Sequence, residues 1–261
     1  MMQTYRSVNL VVLWFLIALN VLIFVVELIT GGGIAARSPL ISFLGLTPAL
    51  LSKQPWTIIS SIFIHGSFTH ILFNMLSLFF LGSFFFRVAG ERNFVAVFFL
   101  GGLVGNILFV FLTAPDSTGI GASGAIFALG GALAIMVPKV PVLIFPIPVP
   151  VPLWVAIIIF LFLSFLPGIA WQAHLGGLLL GLIAGLILKR RRQIYSAIET
   201  NPGIHLRELQ RVLNMPLTTL DYHLSYMTRK KIVFWETEGH HKRYYTKPFD
   251  LEDKKVLSAL R

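Results

Sequence analysis

Long apolar runs, most of about 20 residues, recur through the first 188 positions, and a run of that length is what a helix needs to cross the hydrocarbon core of a bilayer. They lie at Val8–Ile29 and at roughly 67–87, 92–113, 123–137, 149–166 and 171–188. The first follows Arg6, but it is too long for a signal peptide and carries no small-residue cleavage site. With 56% hydrophobic and 12% charged residues, the chain falls outside the range of soluble globular proteins. Its 23 phenylalanines suit a surface that faces lipid. The chain has no cysteine, which excludes disulfides, thiolate metal sites and a cysteine nucleophile.

Six spans put both chain ends on one side of the membrane. Lys189-Arg190-Arg191-Arg192 follows the last span directly, and positive loops stay inside, so both termini are expected in the cytoplasm of a multi-pass cell-membrane protein. Residues 30–66 form a long apolar connection with Gly31-Gly32-Gly33, Pro39, Pro48 and Pro55, suited to the membrane interface. Prolines at 138, 141, 146, 148, 150 and 152 make the segment before the fifth span extended rather than helical. Gly177, Gly181 and Gly185 give the sixth span a small face for close helix packing. Residues 189–261 hold 15 of the 21 Lys and Arg and 8 of the 11 Asp and Glu. Two domains follow: a nearly uncharged membrane body, 1–190, and a charged cytoplasmic tail, 191–261.

Polar and ionisable groups are costly inside a bilayer, so those that occur there mark candidate sites. They gather in three places: His65-Gly-Ser-Phe-Thr-His70-Ile-Leu-Phe-Asn74 at the second span, Gly121-Ala-Ser123-Gly124 opening the fourth, and Ala173-His174 in the sixth. Peptide hydrolysis needs a nucleophile, a base and donors aimed at the developing oxyanion. Ser123 sits where a turn becomes a helix, and backbone N–H groups there are unpaired at the positive end of the helix dipole. His70 and Asn74, four apart, share one helix face and could donate to the same oxygen. His174 has the proton affinity of a general base. No Asp or Glu lies where it could complete a triad, so a dyad is expected. Each feature has a plain reading on its own: a lone G-x-S-G recurs by chance, and His and Asn in an apolar helix more often make packing hydrogen bonds. Three such sites in one six-span body are harder to ascribe to accident.

The order and spacing of these motifs, over roughly residues 5–190, resemble the rhomboid family of intramembrane serine proteases. The resemblance implies an all-α polytopic bundle of six transmembrane helices. It implies Ser123 as nucleophile, His174 as base, and an oxyanion hole from the Ser123 N–H, His70 and Asn74. His65, Gly121 and Phe127 would line the surrounding cavity, and the fifth helix with its cap loop would gate the entry of transmembrane protein substrates. Many relatives carry Tyr where this chain has Phe127, which keeps a ring but loses a hydroxyl. Trp56 is followed by Thr57 where relatives often have arginine. No cofactor is expected, and the His and Asn groups lack the carboxylate company of a metal site.

Residues 193–248 resemble prokaryotic winged helix-turn-helix regulators, a small α+β fold. Three short helices, at Gln193–Thr200, Leu206–Leu213 and Leu217–Lys230, precede two strands around Glu238-Gly239-His240. Leu220, Leu224 and Met227 are expected in the core. Thr218, Thr219, Tyr222 and His223 would project toward base edges, and His241, Lys242 and Arg243 toward phosphates. The partner is then DNA or a regulatory protein. Two other functions remain open: a non-catalytic protein that holds client helices, and a membrane-tethered transcription regulator whose body is an anchor.

Overall fold

A computed structural model describes residues 10–144, 149–239 and 241–246. Arg6, the start of the first run at Val8, Pro146, Pro148 and His240 lie outside the described residues. The chain separates into two compact units, Met1–Leu186 and Ile187–Arg261.

The first unit is helical. It opens with α1 (Val11–Thr30), followed by two short helices in the long connection, α2 (Pro39–Leu44) and α3 (Thr57–Ser60). Helices α4 (Phe68–Ala89) and α5 (Glu91–Leu112) come next, then α6 (Ser123–Met136), α7 (Leu153–Leu163) and α8 (Trp171–Thr200). Four of these, α1, α4, α5 and α8, are long and apolar enough to cross a membrane. The two runs read as the fourth and fifth spans form shorter helices of 14 and 11 residues. Proline explains much of the shortening of α7, since Pro152 can only precede the first turn and Pro167 stops any extension beyond 166. Pro141–Val142 (β1) and Val151–Pro152 (β2) pair as a small antiparallel ladder, in keeping with the extended backbone that the prolines impose.

Helix α6 is the hub. Ala125, Ala128, Leu129, Ala132 and Leu133 are fully buried, and Gly124, Gly130 and Gly131 are buried with them. A helix that is apolar all round belongs inside a bundle. The outward faces of the surrounding helices carry Phe15 and Leu22 on α1, Phe73 and Phe80 on α4, Phe111 on α5 and Ile183 on α8, all exposed.

Three glycines of α8 meet α6 in register. A Cβ at Gly177, Gly181 or Gly185 would overlap the carbonyl oxygens of Gly124, Ala128 and Ala132 respectively. Both series step by four and rise together, so the two helices run in the same direction with backbones almost touching. Only small residues permit that approach.

In the second unit, the residues expected as its first helix are the end of α8, because Lys189–Arg192 are good helix formers and nothing breaks the chain there. The unit continues through β3 (Ile204–His205), α9 (Leu206–Leu213) and α10 (Leu217–Arg229) to β4 (Phe234–Glu238) and β5 (His241–Tyr245). The strands form an antiparallel sheet in the order β3-β5-β4. Asn214, in the left-handed region at φ 45°, ends α9 ahead of Pro216. Ile194, Ile198, Leu209, Leu220, Leu224 and Met227 form the core. In water, burying each such side chain contributes about 1.5–3 kcal/mol.

His223 corrects the reading of α10. It is buried, not outward, because 220, 223, 224 and 227 follow the i, i+3, i+4, i+7 series of a single helix face. Burial, then the charges of Arg191 and Arg190, lowers its pKa below the ordinary histidine value.

Substituting Gly181→Ala should destabilise the first unit by about 1–3 kcal/mol, the cost of overpacking a close contact, read by denaturant unfolding in detergent. A histidine held neutral in the fold binds its proton less readily than in the unfolded chain. Its contribution is therefore complete above the unfolded pKa of about 6.5 and is lost as pH falls below it. Hydrogen-exchange protection across residues 194–239 of the whole chain, corrected for the intrinsic exchange rate at each pH, should accordingly fall toward acid pH, and His223→Leu should flatten that dependence.

Candidate active site

Ser123 is the first residue of α6, following Gly121 at φ +112°, a backbone conformation that glycine alone adopts readily. The turn is anchored from below: Gly121 N–H donates to the Ser61 carbonyl at 2.9 Å, and Asn106 of α5 donates to Ser61 Oγ at 2.9 Å and to the Ile58 carbonyl at 2.8 Å. Leu46 and Gly119 exchange backbone hydrogen bonds of 2.9 and 2.8 Å, which hold the long first connection against the strand of chain leading into α6. The nucleophile candidate thus sits on backbone clamped by two other segments.

His174 lies in the first turn of α8, buried at 8% exposure. The close approach of α8 to α5 and α6 brings it to Ser123. A Cβ at Gly105 would lie 2.6 Å, and one at Gly124 3.1 Å, from the Ala173 carbonyl oxygen. His174 Nε2 and Ser123 Oγ are 2.7 Å apart. On the other side of the ring, His174 Nδ1 is 2.7 Å from Ser164 Oγ, and Ser164 Oγ–H donates to the Phe160 carbonyl at 2.8 Å. Phe127, one turn along α6 from Ser123, stacks on the imidazole with ring centroids 4.5 Å apart and planes inclined by 21°. The ring is therefore held on one face by an aromatic and at both nitrogens by hydroxyls.

His70 stands against the same turn. A Cβ at Gly121 would meet His70 Nε2 at 2.6 Å and Ser123 Oγ at 3.8 Å, so glycine leaves the room that brings this imidazole beside the nucleophile. Asn74, buried one turn further along α4, donates from Nδ2 to the His70 carbonyl at 2.9 Å, and its Oδ1 has no partner among the described residues. His65 is fully buried with its ring 4.9 Å from that of His70, and neither of its nitrogens has a partner among the described residues.

Two participants were not singled out in the sequence. Ser164 is the lone hydroxyl in an otherwise apolar run from 153 to 166, a weak signal without its distance to His174. Glu27 is a fully buried carboxylate in α1, and both its oxygens accept from the His65 backbone N–H, at 3.1 and 3.2 Å. It fixes the loop ahead of α4 and makes no hydrogen bond to the His174 ring. No group of three or more His, Cys, Asp or Glu that could hold a metal ion occurs among the described residues.

The residues expected to contact nucleic acid divide. Thr218, Tyr222, His241 and Lys242 are exposed and Thr219 is half-buried, whereas His223 is in the core. Lys242 Nζ lies 4.4 Å above the Trp235 ring. Arg243 is engaged within the fold, with Glu238 across the hairpin and with the Gly203 carbonyl at 3.0 Å.

A family model described as Rhomboid domain matches residues 52–191, and one described as an N-terminal HTH domain matches residues 188–257. Rhomboid protease GluP of Bacillus subtilis is 34% identical over 119 residues, covering 45% of this chain and 23% of its own. RHOMBOID-like protein 5 of Arabidopsis thaliana is 31% identical over 142 residues, 54% of this chain and 46% of its own. In the tail, an uncharacterized HTH-type transcriptional regulator of Methanocaldococcus jannaschii is 38% identical over 72 residues, 28% of this chain and 18% of its own. The chain thus spans less than half the length of each of these relatives. The Rhomboid match covers more than half of the chain and contains Ser123, His174, His70 and Asn74 in their motif order: this protein belongs to the rhomboid family and is a membrane protein with a C-terminal HTH domain.

Proposed function

We propose that this chain is an intramembrane serine endopeptidase that cleaves transmembrane segments of other proteins. The observation that carries the reading is the 2.7 Å contact between Ser123 Oγ and His174 Nε2 at the buried start of a short helix. In this reading the body crosses the bilayer six times, with α6 and α7 as its short spans and both termini in the cytoplasm, on the side where Lys189–Arg192 would remain. A 14-residue helix rises only about 21 Å against a hydrocarbon core of about 30 Å, so an embedded α6 would carry Ser123 at its end below the lipid surface.

His174 takes the Ser123 hydroxyl proton as Oγ attacks the scissile carbonyl. The tetrahedral oxyanion accepts hydrogen bonds from the Ser123 N–H at the α6 terminus, from His70 and from Asn74. The imidazolium then protonates the leaving amine, and a water deprotonated by the same nitrogen releases the acyl-enzyme. Hydrolysis inside lipid needs water held at the site. Ser123, the His65 ring nitrogens and Asn74 Oδ1 are polar atoms that can hold it, since a buried water needs 2–4 such partners. Glu27 supports the pocket by tying down the backbone of His65. A transmembrane helix hides its carbonyls in its own hydrogen bonds, so substrates should contain Gly, Pro or polar residues that weaken the helix near the cut.

The tail is proposed to regulate this activity or to bind DNA beside the membrane. Exposure of Thr218, Tyr222 and Lys242, with Thr219 half-buried beside them, supports a recognition face on α10 and the hairpin, from which His223 and Arg243 are withdrawn. An inactive client-binding body is disfavoured by the intact Ser123, His174, His70 and Asn74 set.

Cleavage of a fluorescent transmembrane substrate by the purified chain should be abolished by Ser123→Ala and by His174→Ala. His70→Ala and Asn74→Ala should each lower kcat about 10²–10³-fold, as loss of one oxyanion donor does; full activity in both Ser123→Ala and His174→Ala would remove the protease assignment. For the tail, gel shifts of the whole chain with genomic fragments should weaken steeply with salt. Lys242→Glu should reduce the slope of log K against log salt by about one; binding indifferent to salt would exclude phosphate contact.

A further inference from the structure

We propose that Ser164, at the C-terminal end of α7, is a positioning residue that holds His174 in the tautomer with its proton on Nδ1. The inference rests on the protease reading and adds a third member to its pair of reacting groups. A hydroxyl has one hydrogen and two lone pairs. The hydrogen of Ser164 points at the Phe160 carbonyl, 2.8 Å away and one turn back in α7. Toward His174 Nδ1, at 2.7 Å, Ser164 Oγ can then only accept. Nδ1 must therefore carry the proton, and a neutral imidazole protonated there has its lone pair on Nε2, the nitrogen 2.7 Å from Ser123 Oγ. The opposite tautomer would require the Ser164 hydroxyl to turn away from the Phe160 carbonyl and donate to Nδ1 instead, giving up that bond, and would leave Ser123 without a base.

The arrangement does with a hydroxyl what a carboxylate does in a triad. It orients the ring and sets its tautomer, and it does so without placing a charge in an apolar bundle. It also offers some electrostatic support once the ring is charged. Ser164 caps α7, whose last carbonyls form the negative end of the helix dipole. As Nε2 takes the serine proton, the Nδ1–H···Oγ–H···O=C chain runs from the imidazolium into that end, each bond polarising the next. Phe127 blocks rotation of the ring out of its plane but presents nothing that distinguishes one tautomer from the other. That selection falls to Ser164, which is 2% exposed. Because both Ser164 and its carbonyl partner belong to α7, the seating of this helix against α6, through Ile157 at Gly130, becomes part of what aligns the base.

The test is Ser164→Ala, a substitution that removes one atom from a buried site. In the detergent-solubilised chain, kcat for a transmembrane substrate should fall about tenfold to a hundredfold with KM changed by less than about twofold, the range for losing an outer partner that orients a histidine. Nitrogen-15 NMR of the histidines in a Ser123→Ala background should assign the proton to Nδ1 of His174, and adding Ser164→Ala should shift that signal toward a mixed tautomer. An unchanged kcat would overturn the proposal. So would a lowered kcat with the Nδ1 tautomer intact, since Ser164 would then act only in packing. If the parent chain cleaves nothing, or Ser123→Ala still cleaves, the protease reading fails instead, and the NMR comparison still decides whether Ser164 sets the tautomer.

Discussion

The close contact between α6 and α8 is the constraint from which the rest of the membrane unit follows. Lipid chains are as apolar as leucine, so burying leucine between helices gains little in a bilayer, and association depends on how closely backbones can pack. Gly177, Gly181 and Gly185 against Gly124, Ala128 and Ala132 provide that approach over three successive turns. The seam does more than hold two helices together. A slip of one residue along α8 would press a Leu or Ala side chain into the backbone of α6, so the register is unique. Gly124 follows Ser123, and Gly177 lies one turn beyond His174. The packing that stabilises the bundle therefore also brings the two reacting groups to 2.7 Å.

Around that seam, several buried polar groups have a partner that limits their freedom. Asn106 and Ser61 hold the Gly121 turn, and Glu27 holds the backbone at His65. Ser164 and Phe127 hold the His174 ring. An orphaned polar atom is costly in an apolar surrounding, and this cost makes such a network precise. The side-chain atoms left without a partner among the described residues of this unit are on His65 and Asn74, beside the candidate site in sequence, and on Asn20 and Gln54. The tail follows another rule. Its core of Ile198, Leu209, Leu220 and Met227 is held by burial from water, and its charges lie outside that core.

The readable parts of the sequence were those in which spacing alone implies a face. Glycines four apart predict a packing surface, and proline after proline predicts extended chain. Leu220, Leu224 and Met227 predict a core stripe. The same rule, applied to its end, includes His223, but polarity argued for solvent while periodicity placed it inside, and periodicity prevailed. The partners of Arg243 were not legible for a different reason: Glu238 and Gly203 are brought to it by strand pairing, five and 40 positions away. The ends of α6 lie within one residue of the expected 123–137, whereas the length of α7 was blurred because apolar composition continues past its ends. Ser164 and Glu27 carried almost no local signal, since a single hydroxyl or carboxylate in an apolar stretch is defined by what lies across from it.

By itself, the sequence determined that this chain needs a bilayer, that its charged end is a separate unit, and which few polar side chains its body contains. Those properties depend on composition and on the 3.6-residue period, both local. Tertiary structure alone decided which of those side chains meet. The nitrogen of His174 that faces Ser123, the hydroxyl that faces its other nitrogen, and the imidazole that rests on Gly121 are relations between residues from 10 to 51 positions apart. A hydrogen bond tolerates only a few tenths of an ångström, and no local pattern specifies distance across a bundle to that accuracy. The helix seam does.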